Sequence, residues 1–175
     1  MKPLQDLRQQ LFHTKASKTT HAVKNLLRPS NFKLDLDVFL PSINKNLQRD
    51  FVWSISQSQE LIMSILLERP IPHLSFYIFY KKGDEVETIQ IIDGKQRLSS
   101  IIDFINNEYH INIEDSLFQF KHLPTEYQQA ILDCALPTFT IYDTPKLTDQ
   151  DKIDWFKTIN FGGTLVDVEH LNNLK

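Results

Sequence analysis

Apolar side chains recur at spacings of three and four in several stretches, and at alternate positions or in short dense runs in others, so helices and strands are both predicted. Leu61, Ile62, Ile65 and Leu66 form a helical stripe behind Ser54 or Ser56 as cap, and Pro70 ends it by disfavouring helical geometry at Arg69. Leu74 to Tyr80 and Glu87 to Ile92 are rich in aromatic and β-branched residues and flank Lys82-Gly83-Asp84, which reads as a hairpin. Leu98, Ile101, Ile102 and Ile105 define a helix from Lys95 to near Asn106. Ile111 and Ile113 suggest a short strand, Pro124 opens a helix through Tyr127, Ile131 and Leu132, and Leu136 to Tyr142 reads as a strand. Thr148 with Asp151 forms a capping signature for a helix reaching Ile159, and Gly162-Gly163 separates it from a last helix near Asp167 to Leu174. Near the start, Leu4, Leu7 and Leu11, then Ala22, Val23, Leu26 and Leu27, predict two short helices joined by Thr14 to Thr20, with a strand following over Phe32 to Phe39. The class is α+β, with residues 1–30 expected as a helical N-terminal arm and residues 31–175 as a single domain.

The 175 residues are 41% hydrophobic and 23% charged, enough to bury a core and unlike a disordered chain. The net charge of -3 excludes a whole-molecule field that would hold nucleic acid. It is unevenly spread, however: residues 1–30 stand near +5 and the remainder near -8. Lys15, Lys18, Lys24 and Arg28 are therefore the candidate DNA-backbone contacts, with a self-docking or solvated arm as the alternative. One cysteine, Cys134, excludes an internal disulfide. With the longest apolar run only Phe76 to Tyr80 and no signal peptide, the expectation is a cytoplasmic protein with no membrane partner.

The richest chemistry lies in Ile91-Ile92-Asp93-Gly94-Lys95-Gln96-Arg97-Leu98, where a strand hands over directly to a helix N-terminus. Free backbone N–H groups there attract anions, Gly94 permits close approach of a ligand, and Arg97 can grip a phosphate bidentately. Asp93 is expected to cap the helix, while Lys95 and Arg97 set positive charge against the positive end of its dipole, a mismatch that a bound anion reverses. Leu47-Gln48-Arg49-Asp50-Phe51-Val52-Trp53 places a guanidinium and an amide beside two aromatics, which can hold a base or phosphate or serve as core anchors. Asn160-Phe161-Gly162-Gly163-Thr164 reads as an anion loop or a helix C-cap.

In order, Gln48-Arg49-x-Phe51-x-Trp53, Leu61-Ile62-x-Ser64-Ile65, Arg69-Pro70-Ile71-Pro72, Ile92 to Leu98, and Phe156-x-x-Ile159-Asn160-x-Gly162-Gly163 resemble one family. It is the N-terminal domain of GmrSD-type restriction proteins, found also in the phosphorothioate-sensing defence protein SspE, and the likeness spans about residues 35–172. The resemblance implies a ParB/sulfiredoxin-like fold, a small mixed sheet with flanking helices. It also implies an NTP-binding and hydrolysing Asp-Gly-Gln-Gln-Arg motif, carried here by Asp93, Gly94, Gln96 and Arg97, with Gln48, Arg49 and Asn160 as neighbours and Lys95 in place of the usual glutamine. On that reading Asp93 and Arg97 are the catalytic pair and Asp93 holds Mg²⁺. Sulfiredoxin chemistry is excluded because the turn has no cysteine, and the six scattered histidines do not supply the metal site of the nuclease domain that such proteins carry. The function expected is a nucleotide-binding module, with NTP hydrolysis in prospect, acting in DNA defence or counter-defence of phage or mobile-element type. The alternatives are a ParB-like metal-dependent DNA nuclease and a non-catalytic protein that binds a host or defence partner.

Overall fold

The computed structural model describes residues 16–28, 30, 32–80, 83, 85–142 and 146–161. Five strands form the central sheet: β1 (Ser17–Ala22), β2 (Phe32–Asp35), β5 (Leu74–Tyr80), β6 (Glu87–Asp93) and β9 (Ala135–Tyr142), in the order β1-β9-β5-β6-β2. The β5–β6 hairpin and the β1–β9 pair are antiparallel, whereas β5–β9 and β2–β6 are parallel, so the sheet is mixed. Two-residue strands β3 (Phe39–Leu40) and β4 (Lys45–Asn46), and the pair β7 (Ile111–Ile113) and β8 (Ser116–Phe118), form two small separate sheets. The helices are α1 (Val23–Leu26), α2 (Ile55–Leu66), α3 (Lys95–Ile105), α4 (Thr125–Asp133) and α5 (Asp149–Phe161).

Alternation along the strands sorts the core into two layers. Leu74, Phe76 and Ile78 of β5 and Ile89 and Ile91 of β6 face one side, where they meet Leu61, Ile62, Leu98, Ile101 and Phe104 from α2 and α3. Tyr77 and Ile92 face the other side and pack with Leu40, Leu47, Ile153, Trp155 and Phe156 from the β3–β4 hairpin and α5. The hydroxyls of Ser58 and Ser100 meet at 2.9 Å, and Tyr109 Oη donates to the Ser100 carbonyl at 2.8 Å, so the polar contacts between α2 and α3 are paired. Ser54 and Gln57 close a capping box on α2, and Thr148 and Asp151 bond reciprocally at the start of α5.

The N-terminal region departs from expectation. Where a linker between two helices was expected, Ser17–Ala22 is an edge strand of the main sheet, paired along its length with β9. β-Branched Thr19 explains it, since its hydroxyl lies 2.7 Å from that of Thr138 and 2.8 Å from that of Thr140. The second helix is present as the short α1, with Val23 and Leu26 buried in the common core, so residues 17–26 pack into the body as one strand and one short helix. The expected helices at Leu4–Leu11 and Asp167–Leu174 lie outside the described residues.

His21 on β1 packs against Phe76, ring centroids 5.5 Å apart, and burial lowers its pKa below the usual 6.5. A histidine held neutral by the fold favours the native state above its unfolded pKa, and this contribution is lost as pH falls through 6.5 toward the depressed value. Urea midpoints are thus expected to fall on acidification from pH 7.5 to 5.5, and His21→Phe should flatten that slope. An equal slope in the variant would assign the acid sensitivity elsewhere.

Candidate functional site

The two core layers leave a cleft at the end of β6 where Asp93 passes through Gly94 into α3. Gly94 has φ +106°, and a Cβ there would stand 2.7 Å from Leu74 Cγ, so both the turn and the close packing require glycine. Gly94, not Asp93, is the N-cap of α3, and no side chain caps the helix. This corrects the expected capping role of Asp93. Its Oδ2 instead accepts from Arg97 Nη2 at 2.7 Å, and Arg97 Nη2 also reaches the His73 carbonyl at 3.2 Å. The helix start therefore presents backbone donors that no side chain has claimed.

The cleft has a volume of about 180 Å³. Gln48, Arg49, Gly94, Lys95, Gln96, Arg97 and Asn160, the residues expected to bind nucleotide, all line it together with Asp93. Trp53 and Phe156 complete the lining as its aromatic members. Residues up to 112 positions apart thus converge, although they do not play equal parts.

Both glutamines are structural clamps. Gln48 Nε2 donates to the carbonyls of Ile91 at 2.9 Å and Ile92 at 2.5 Å, which pins the loop after β4 to the end of β6. Gln96 Oε1 accepts from the backbone N–H of Val52 at 2.9 Å and of Trp53 at 3.3 Å, and its Nε2 donates to the Asp50 carbonyl at 3.1 Å. These bonds fix the segment carrying Arg49 and Trp53 over the start of α3. Asn160 Nδ2 donates to the Phe156 carbonyl one turn back on α5 at 2.8 Å, and the residue lines the cleft.

The cations differ as well. Lys95 is buried at 8% exposure, and its Nζ lies 2.5 Å from Asp37 Oδ1. Asp37 was not among the expected site residues, and no local spacing signals a pair 58 residues apart. It is aimed by a strained turn in which the next residue, buried Val38, has φ +53°. Arg97 is mostly buried and lines the cleft; its Nη2 is engaged by Asp93 and the His73 carbonyl, and its buried Nε has no hydrogen-bond partner. Arg49 is exposed at the rim. Lys95→Gln should lower stability by no more than about 1 kcal/mol, because Asp37 is largely exposed and water takes the place of its lost partner, and should change anion affinity less than twofold. Denaturant titration and a pyrophosphate titration check the two halves.

The fit to a metal is poorer. Asp93 is engaged by Arg97 and Asp37 by Lys95, and the described residues contain no group of three His, Cys, Asp or Glu that could hold an ion. The donors suit an anion and do not form a divalent-cation site of their own. Of the expected DNA contacts, Lys15 lies outside the described residues, Lys18 sits on β1 with Nζ 5.9 Å from the Phe139 ring centre, Lys24 pairs with Asp133 at 2.5 Å, and Arg28 is exposed. Lys18, Lys24 and Arg28 do not line the cleft. Gly162, Gly163 and Thr164 are outside the described residues.

The mixed α+β fold thus gathers an uncapped helix start, a mostly buried guanidinium and a rim arginine around one small cleft. Residues 33–174 match the family described as the GmrSD restriction endonuclease N-terminal domain, and the chain belongs to that family. This membership gives it a restriction-type DNA-defence context. No curated protein and no solved structure matches the chain. No helix among the described residues is long and apolar enough to cross a membrane.

Proposed function

We propose that the protein is a nucleoside-triphosphate-binding module of a DNA-defence system, holding the phosphates in the cleft at Asp93–Arg97. The observation that carries this reading is the uncapped N-terminus of α3 with the Arg97 guanidinium beside it in the lining of the cleft. Backbone N–H groups at a helix start favour negative charge, and a guanidinium matches phosphate geometry. About 180 Å³ is room for a few phosphate groups, since a water occupies roughly 30 Å³ of liquid. A base would lie at the rim, where Trp53 and Arg49 are.

The chain's own groups perform distinct tasks in this scheme. The α3 N–H groups and Arg97 bind and orient the phosphates, Arg49 neutralises charge at the rim, and the glutamine clamps keep that loop in place. A Mg²⁺ ion would be held by the oxygens of the triphosphate itself and would offset their charge. Hydrolysis, where it occurs, draws on charge stabilisation by the same arginines.

Thermal shift with ATP, GTP, CTP and UTP tests the proposal. At 100 times its dissociation constant a ligand adds about 2.7 kcal/mol of stability, and inorganic tripolyphosphate should compete for the same site. Arg49→Ala should weaken binding about tenfold, or about 1.4 kcal/mol. No shift with any of the four, from folded protein, would overturn the reading.

A further inference from the structure

A second groove lies on the same face of the sheet as α5, outside the Asp93–Arg97 cleft. Its volume is about 840 Å³, within the roughly 300–1,000 Å³ of small-molecule sites and far roomier than the cleft. Its floor is unusual for a sheet covered by a core. Thr88 and Gln90 point to this face from β6, at 5% and 7% exposure, and neither Thr88 Oγ1 nor Gln90 Oε1 has a hydrogen-bond partner. A buried polar atom left unpaired is destabilising. Two of them side by side on one strand face, beneath one groove, call for a partner from outside the chain.

The surrounding groups state what that partner must offer. Gln90 Nε2 already donates to Asp35 Oδ2 at 2.9 Å, and Asp35 Oδ1 accepts from the Val38 N–H at 2.9 Å, so the Gln90 amide is fixed and its oxygen asks for an N–H donor. Thr88 supplies a hydroxyl that gives or takes a proton. Lys152 reaches in from α5 at 8% exposure, with Nζ 3.8 Å from Asp149 and 5.7 Å from the Tyr77 ring centre, and asks for an acceptor. Burial pulls its pKa below the usual lysine value, and Lys146 adds to that, while Asp149 and Asp35 pull it back. Phe79, stacked on Tyr77 at 4.9 Å, and half-exposed Phe39 supply flat apolar surface.

From this juxtaposition we infer that the groove binds a nucleobase, a flat heterocycle that stacks on the aromatic surface while its edge donates to Gln90 and accepts from Lys152. Bases are read by just such combinations of edge hydrogen bonds and aromatic stacking. A saturated apolar ligand would leave the floor atoms unpaired, and a bare anion would leave Gln90 unanswered. The base comes either as a free nucleoside or on a single strand of nucleic acid. The site is independent of the phosphate reading, although Asp37 lines the groove while pairing with Lys95 of the cleft.

Calorimetric titration of the full chain with adenosine, guanosine, cytidine and thymidine, and with a mixed-sequence single-stranded deoxyoligonucleotide, tests the inference. Binding of a nucleoside identifies the free base as the source, and binding of the strand alone identifies a base presented on nucleic acid. In either case Gln90→Leu and Thr88→Val should each weaken binding at least tenfold. Thr88→Val removes a hydroxyl that bonds nothing and is nearly isosteric, so its fold is expected to be retained even if Gln90→Leu disturbs Asp35. No binding of any probe at millimolar concentration, or binding that both groove variants leave unchanged, would overturn the inference.

Discussion

Gly94→Ala is expected to destabilise the protein by about 2–5 kcal/mol and to lower its melting temperature by roughly 10 °C. Two costs combine. A side chain at φ +106° is strained by about 1–2 kcal/mol whatever its surroundings. The new Cβ also falls 2.7 Å from Leu74 Cγ and 2.9 Å from its Cδ2, and Leu74 is fully buried on β5, so relief requires overpacking worth about 1–3 kcal/mol. Gly83 separates these costs, because it has φ +95° but nothing within 4 Å of a built Cβ. Gly83→Ala should therefore lose only about 1 kcal/mol. In a double-mutant cycle with Leu74→Ala the Gly94→Ala penalty should shrink by about 1–2 kcal/mol, since the clashing atoms are gone. Equal losses at Gly83 and Gly94 would show that the contact with Leu74 is not limiting.

The junction that Gly94 makes is legible from residues alone, because everything that builds it is local. A β-favouring run ends in Asp-Gly, and an amphipathic stripe at Leu98, Ile101 and Ile105 begins at once. The β5–β6 hairpin and the helices α2 to α5 follow from periodicity for the same reason. What the sequence pattern hides depends on distant partners. Strand β1 exists through Thr19 meeting Thr138 and Thr140, more than 100 residues away, while its exposed face and brevity give no alternation to read. Strand β8 was not anticipated because its hairpin turns through Glu114 and Asp115 at φ +50° and +61°, with no Asn-Gly or Asp-Gly pair to announce it. The site was legible as a set of residues but not as a division of labour. Nothing in Gln48 or Gln96 indicates that their amides hold backbone, or that the charge of Lys95 is taken up by Asp37.

Arg97→Lys and Asp93→Asn are expected to move nucleotide affinity in opposite directions, and by amounts that decide what the Asp93–Arg97 pair is for. Lysine keeps the charge but loses the planar fork, so the contacts to Asp93 and the His73 carbonyl cannot both be kept while a phosphate is gripped. Triphosphate binding should fall at least tenfold, about 1.4 kcal/mol or more. Asp93→Asn acts on the other partner. Its carboxylate lies 2.7 Å from the guanidinium and competes with an incoming phosphate for it, so neutralising it should tighten binding severalfold. The price is about 1–2 kcal/mol of stability in the free protein, because a charge-assisted bond between two mostly buried groups is weakened. If Asp93 instead served as a metal ligand, the same substitution would weaken Mg²⁺-dependent binding and leave metal-free binding untouched. Titrating ATP and tripolyphosphate against both variants, with Mg²⁺ and with a chelator, reads the sign directly. Tighter binding in Asp93→Asn under both conditions would make Asp93 a gate on Arg97, holding the guanidinium in place until a phosphate displaces the carboxylate.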